Sequence, residues 1–423
     1  MSQTLLTLVD TAMVGRLGAE ALAAVGISGM VVYVVMSAFF AIDSGSRAIV
    51  ARSYGSGNCT SCGQVCQQAL ILSVGAGLVL MAAGWFFADD IYRFMRAEAA
   101  VVALGSEYLK IRLLAAVFVF VAFAFNGFFT GLGDTKTPMA VMITANSINV
   151  LLNSLLIFGK LGFPAMGVKG AALATVISQI CGFFLYNVIV LTKKSLQAYR
   201  PRLTYTPNWE RMKQLVRISA PTSFEQMMQA AGFLAFTAII TRLGTIPLAA
   251  NNIGLNITMI SFMPAYGFGI AASTLVGQNL GAKRPEEAER GGWTAAALGV
   301  VFMTLMGLVF FFFPRYLMMV FTTDPLVIDQ GAMILRILAI FQPFDALHII
   351  LSLALRGAAD TTWVMACNLL ITWLLFVPAT YLFALPLGLG LNGAWLALGI
   401  LLFIAGIAMT ARFQRGRWKK IAI

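Results

Sequence analysis

A chain of 423 residues that is 60% hydrophobic and only 11% charged carries more apolar surface than a water-soluble core can hide, which excludes an ordinary soluble globular protein. Its net charge of +12 is gathered at the ends of apolar runs. That placement excludes a continuous basic nucleic-acid surface and follows the positive-inside pattern of membrane proteins.

Apolar stretches of roughly 20 residues, each long enough to cross about 30 Å of hydrocarbon, recur along the whole chain. They are continuous rather than alternating, so they predict helices and not barrel strands. Breaks at Gly, Pro and charge clusters give six spans in the first half, at 1–16, 25–54, 64–88, 101–131, 136–159 and 167–192. Six more follow at 210–242, 250–280, 288–313, 327–357, 362–385 and 391–413. About 16 residues rise only about 24 Å, so the first span reads as a truncated helix. The segment 193–209, with Lys193, Lys194, Arg200, Arg202, Pro201 and Pro207, reads as a linker between an N-lobe, 1–192, and a C-lobe, 210–423. With the tail residues Arg412, Arg415, Arg417, Lys419 and Lys420 it places both termini in the cytoplasm of a multi-pass inner (plasma) membrane protein.

The two halves are copies of one another. Arg16-Leu17-Gly18 returns 226 positions later as Arg242-Leu243-Gly244, and Gly55, Gly105, Gly131 and Asp134-Thr135 return as Gly281, Gly331, Gly357 and Asp360-Thr361. From Gly167 and Gly170-Ala171 to Gly390 and Gly393-Ala394 the offset is 223, so three residues are missing late in the second copy. Six spans per copy bring the second in with the orientation of the first, as parallel repeats about an axis along the membrane normal. The expected fold is all-α integral membrane, with a transport path between the repeats.

Ionisable groups at membrane depth are costly and mark function. Asp10 lies in the first span among Leu8, Val9 and Ala12. Apolar surroundings disfavour its charged form and a bound cation favours it, so a proton and a cation compete for one carboxylate. In the fifth span Asn146, Asn149 and Asn153 share one face, either as a polar site or as interhelical glue. Asp43 and Arg47, at i and i+4 in the second span, predict an ion pair that is structural or gating, with substrate contact the lesser reading. In the tenth span Asp345 and His348, the only histidine, face the same way, so His348 is placed either to act on Asp345 or to pack as a hydrogen-bonding group. Apart from Arg47, embedded arginine is scarce in this reading. Cys59, Cys62 and Cys66 are expected in the loop into the third span as free thiols rather than as a zinc site, since no fourth ligand is near in sequence. There is no Gly-x-x-x-x-Gly-Lys-Ser/Thr and no Ser/His/Asp arrangement, so neither direct ATP coupling nor enzyme chemistry is expected. Met is adaptable around varied shapes, and Tyr33, Met36, Phe40, Met227, Met228, Met259, Phe262 and Met263 are the candidate lining of a substrate cavity.

The run Val9-Asp10-Thr11-Ala12-Met13-Val14-Gly15-Arg16-Leu17-Gly18 resembles the multidrug and toxic compound extrusion (MATE) family. So do Leu275-Val276-Gly277-Gln278-Asn279-Leu280-Gly281, Gly131-Leu132-Gly133-Asp134-Thr135 and Leu355-Arg356-Gly357-Ala358-Ala359-Asp360-Thr361. The resemblance implies twelve helices in two six-helix lobes that form a V-shaped cleft. It also implies export of cationic or amphipathic organic compounds in exchange for inward H⁺ or Na⁺, by a monomer with no cofactor beyond that ion. It makes Asp10 the coupling acid of the N-lobe. Asn149 and Thr175 match members of the family's N-lobe network, and Asn153 stands at an Asp position. Asp345 matches an acid of a C-lobe cation site. Gln229 stands where that site has Glu, with Glu225 one helical turn away. Two other readings stand beside antiport: a flippase for a lipid-linked precursor, as in distant relatives of the superfamily, and a non-transporting membrane receptor or scaffold.

Overall fold

A computed structural model describes residues 13–421 apart from 16, 96–97, 200 and 202–205. Those residues are helices and turns, and they divide into two compact units, Met1–Arg217 and Ile218–Ile423. The first unit contains α1 (Ala19–Gly55), α2 (Cys59–Phe94), α3 (Ala99–Leu114), α4 (Ala116–Gly131), α5 (Lys136–Phe158) and α6 (Gly167–Thr192). Helix α7 (Trp209–Thr241) starts in the first unit and continues into the second. There follow α8 (Thr245–Gly281), α9 (Pro285–Phe312), a short α10 (Pro314–Met319), α11 (Pro325–Gly357), α12 (Thr361–Leu370), α13 (Val377–Ala384) and α14 (Gly390–Gln414).

Eleven of the twelve expected spans coincide with these helices; the first falls almost wholly outside the described residues. Among the described residues nine helices are long and apolar enough to cross a membrane, or ten if the bent pair α3–α4 counts as one span. The 33-residue α7 is more polar, with Ser219, Thr222, Glu225, Gln226 and Gln229 inside it.

The fourth span is the hub of each repeat. In the first unit α4 packs on α1 and α2, and in the second α11 packs on α8, α9 and α14. At both hubs a glycine brings backbones together. A Cβ at Gly357 would lie 2.2 Å from the Ser273 carbonyl oxygen, and one at its repeat partner Gly131 would lie 3.0 Å from that of Arg47. The two crossings therefore share one register.

Three expectations are corrected. The run 101–131 is not one helix but α3 and α4, bent by 44° at Ala115, where the sequence has neither glycine nor proline. Just past the bend α4 rests on α2, where Gly77 receives Val117 so closely that a Cβ would sit 2.5 Å from its Cα. In the second copy the partner of Val117 is Pro343, yet α11 runs unbroken through it. The run 362–385 holds a wider π-helical turn at Ile371–Phe376. Finally, Cys59, Cys62 and Cys66 lie within α2, whose first turn Asn58 caps by accepting the Ser61 N–H at 3.0 Å, and not in a loop before it.

Because the Gly357 crossing has no room for a side chain, Gly357→Ala is expected to cost about 1–3 kcal/mol. Gly267→Ala, at a helical position with nothing within 4 Å, is expected to be neutral or slightly stabilising. Thermal unfolding of the two purified variants in one detergent checks the contrast.

Candidate functional site

Each unit encloses a charged cluster at its hub. In the first, Asp43 and Arg47 are 0% and 1% exposed and form the ion pair that their spacing predicts. Asn126 on α4 donates to Asp43 at 2.8 Å, and Arg47 Nε donates to Thr130 Oγ1 at 3.1 Å. The Thr130 hydroxyl in turn donates to the Asn126 backbone carbonyl at 2.6 Å. The pair is thus clamped to α4, and such support is what makes a buried ion pair tolerable.

The second unit places its cluster on three helices. Arg356 at the end of α11 donates Nη2 to Glu225 Oε1 of α7 at 2.6 Å, and Asn368 of α12 donates Nδ2 to the same oxygen at 2.6 Å. His348 Nε2 lies 3.2 Å from Asn368 Oδ1, so the four residues form one chain. Glu225 is 2% and Arg356 7% exposed. Embedded arginine is therefore not confined to Arg47, and Arg356, Asn368 and Asn126 are functional candidates that spacing alone missed. Arg356 is visible in the sequence as a cation at the end of an apolar run and Glu225 as a candidate acid, but nothing in the sequence pairs two residues 131 positions apart.

The remaining candidates fall as follows. Asn149 donates to Thr175 at 3.3 Å and Asn153 donates to Asn149 at 2.9 Å, all three buried between α5 and α6. Asn146 is half-buried on the same stripe. Asp10 lies outside the described residues, as does the side chain of Phe40. Asp345 and Gln229 are half-buried. His348 turns to Asn368 rather than to Asp345. Glu225 and Gln229 do not offer equal levels to a cation, because only Glu225 is held by a guanidinium. Tyr33, Met227 and Met259 are exposed, and Met36, Met228 and Met263 half-buried. Phe262 stacks on Tyr266 and packs on the buried Ala265, Met303 and Ala346 of its own unit.

A second repeated feature ties each hub to the last helix of its repeat. Asp134, in the turn after α4, accepts Lys193 Nζ at 2.6 Å and the Thr137 N–H at 3.0 Å. Its counterpart Asp360 accepts both arms of Arg412, at 2.7 and 3.1 Å, while that guanidinium lies 5.0 Å over Trp363.

Known proteins share this architecture. The MatE family profile matches residues 1–155 and 221–382. The chain belongs to the MatE family. It is 30% identical to the probable multidrug resistance protein NorM of Thermotoga maritima, across 100% of this chain and 90% of that relative. It is 28% identical to the protein of that name in Bacillus cereus, across 98% and 90%. A solved structure of a MOP superfamily transporter from Pyrococcus furiosus has the same fold, with a TM-score of 0.90 at 23% identity over 100% of this chain and 93% of that one. As a MatE member the chain is a multi-pass membrane transporter and not an enzyme.

Two outcomes follow from the clusters. Asp43→Asn leaves Arg47 buried without its counter-charge and is expected to cost about 3–5 kcal/mol, against about 1 kcal/mol for Thr175→Val, as read by denaturant or thermal unfolding. At Asp134 partial burial acts to raise the carboxyl, but hydrogen bonds from Lys193 and Thr137 and the Lys193 charge outweigh it and hold the group below the usual carboxylate range. That contribution is complete above the ordinary carboxylate range and is lost as pH falls through the Asp134 value. Asp134→Asn is therefore expected to be less stable than the parent at neutral pH, by under about 1 kcal/mol at so exposed a pair. The difference should begin to narrow below about pH 4 and close once pH falls below the depressed Asp134 value, in unfolding curves taken across pH.

Proposed function

We propose that the chain is a secondary active antiporter that exports cationic or amphipathic organic compounds in exchange for inward H⁺ or Na⁺. The observation that carries this reading is the likeness, over the whole chain, to relatives named multidrug resistance proteins. In this reading the chain consists of the lobes 1–192 and 210–423, joined by the linker 193–209. The protein sits as a monomer in the inner membrane with both termini in the cytoplasm. Asp10 takes up the driving ion from outside, with Asn149, Asn153 and Thr175 assigned to the same N-lobe function. With Asn at 153, Asp10 is the single acid of that group, which favours uptake of one charge at a time. Asp345 and Gln229 serve the C-lobe, and the cavity lining is drawn from Tyr33, Met36, Phe40, Met227, Met228, Met259, Phe262 and Met263.

The energetics suffice. One positive charge moving inward gains about 2.3 kcal/mol per 100 mV of membrane potential. A tenfold gradient of substrate costs about 1.4 kcal/mol. For an uncharged substrate, entry of one charge at about 100 mV thus sustains more than a tenfold gradient; export of a monovalent cation cancels that electrical gain and draws on the ion gradient itself.

The test is efflux of a fluorescent organic cation from proteoliposomes under separately imposed Na⁺ and pH gradients. Transport is expected to follow one of the two gradients, and Asp10→Asn is expected to lose it at least tenfold. Export by Asp10→Asn equal to that of the parent would overturn the assignment.

A further inference from the structure

The two buried arginines occupy corresponding points of the two repeats but come from opposite helices. In the first unit the crossing marked by Gly131 carries Arg47 on α1 and Thr130 on α4, bonded to each other at 3.1 Å. In the second unit the same two positions are Ser273 on α8 and Arg356 on α11, beside Gly357. Hydroxyl and guanidinium have changed places across the crossing. Each repeat thus holds one guanidinium at its hub, although no single alignment column supplies both.

We propose that Arg356 is a resident cation, tethered to the chain, which fills a monovalent-cation site centred on Glu225. A free cation binds there only when the guanidinium is taken away. Oxygen atoms of the kind hard cations prefer are carried on the same two helices as Glu225 and Arg356. Glu225 Oε1 receives both Arg356 and Asn368, while Oε2 has no partner among the described residues. Thr222, three residues before Glu225, and Ser352, four before Arg356, lie on the same helical faces as those two groups. They are 1% and 4% exposed, and their hydroxyl oxygens have no partner among the described residues. One guanidinium balances one carboxylate. Without it the site keeps a buried negative charge with oxygen atoms around it, and burial without compensation is what drives uptake of a counter-ion. In the parent chain the site is closed to Na⁺, so the coupling ion proposed above must be taken up elsewhere. The inference goes beyond the antiport reading and is measured by ion binding, so failure of one leaves the other standing.

The experiment uses the full chain purified in detergent, at one fixed pH, with NaCl exchanged for choline chloride at constant ionic strength. Arg356→Gln is expected to show a Na⁺-dependent rise in Tm at least about 3 °C greater than that of the parent. The extra rise should vanish in Glu225→Gln/Arg356→Gln. Ser273→Arg/Arg356→Thr, which sets the cation where the first repeat has it, should restore the parental response. A Na⁺ response of Arg356→Gln equal to that of the parent overturns the proposal, and so does one that survives loss of Glu225. If Arg356→Gln does not fold, Glu225→Gln decides. It leaves the cation unbalanced and should gain a stabilisation on exchange of gluconate for chloride that the parent lacks; a parental response there also overturns the proposal.

Discussion

The hubs depend on holding ionic groups where water does not reach them. A charge brought from water to a medium of low polarity costs far more than a hydrogen bond returns, unless an opposite charge and further donors meet it. In the first unit that condition is met within one helix, Asp43 and Arg47 being a turn apart, and α4 supplies Asn126 and Thr130 to complete it. In the second unit it is met only by joining α7, α11 and α12, since Glu225, Arg356 and Asn368 come from three elements. The first arrangement stiffens one helix against its neighbour. The second makes the mutual placement of three helices a requirement of charge balance.

The duplicated plan explains why the hubs lie where they do. Glycine at the same register of the fourth span lets two backbones touch, and touching backbones leave the flanking side chains inside the bundle. A polar side chain one residue before that glycine is then committed to burial, whether it is Thr130 or Arg356. Divergence between the copies has acted on the chemistry of these positions and has left their geometry alone. The turn that follows shows the same division, with Asp134 held by a lysine and Asp360 by an arginine fork.

Much of this architecture was legible in the residues. Continuous apolar runs located eleven spans, the offset of 226 gave the repeat, and spacing placed Asn149 with Asn153 and Asp43 with Arg47. What escaped was non-local or cooperative. Nothing near Arg356 in sequence announces Glu225, because helical periodicity relates only residues within a few turns. The bend at Ala115 has no glycine or proline to mark it in the run, and the close approach beside it, of Val117 to Gly77, involves another helix. The π-helical turn at Ile371–Phe376 likewise sits in a run that local pattern reads as plain helix. The second unit's cluster, assembled from distant segments, was therefore found in part: Glu225 and His348 were singled out, but the groups that join them were not.

The proline that leaves α11 unbroken has a consequence in its neighbour. Pro343 has no N–H, so the carbonyl of Ala339, one turn earlier, loses its helical donor inside a packed interior. That oxygen lies against α9, where a Cβ on Gly307 would approach it to 2.9 Å. Having no Cβ, Gly307 lets α9 come this close to the oxygen. Any larger residue at 307 would press on that oxygen and on the side chain of Gln342, so the tight packing of α9 on α11 and the carbonyl freed by proline meet at one point.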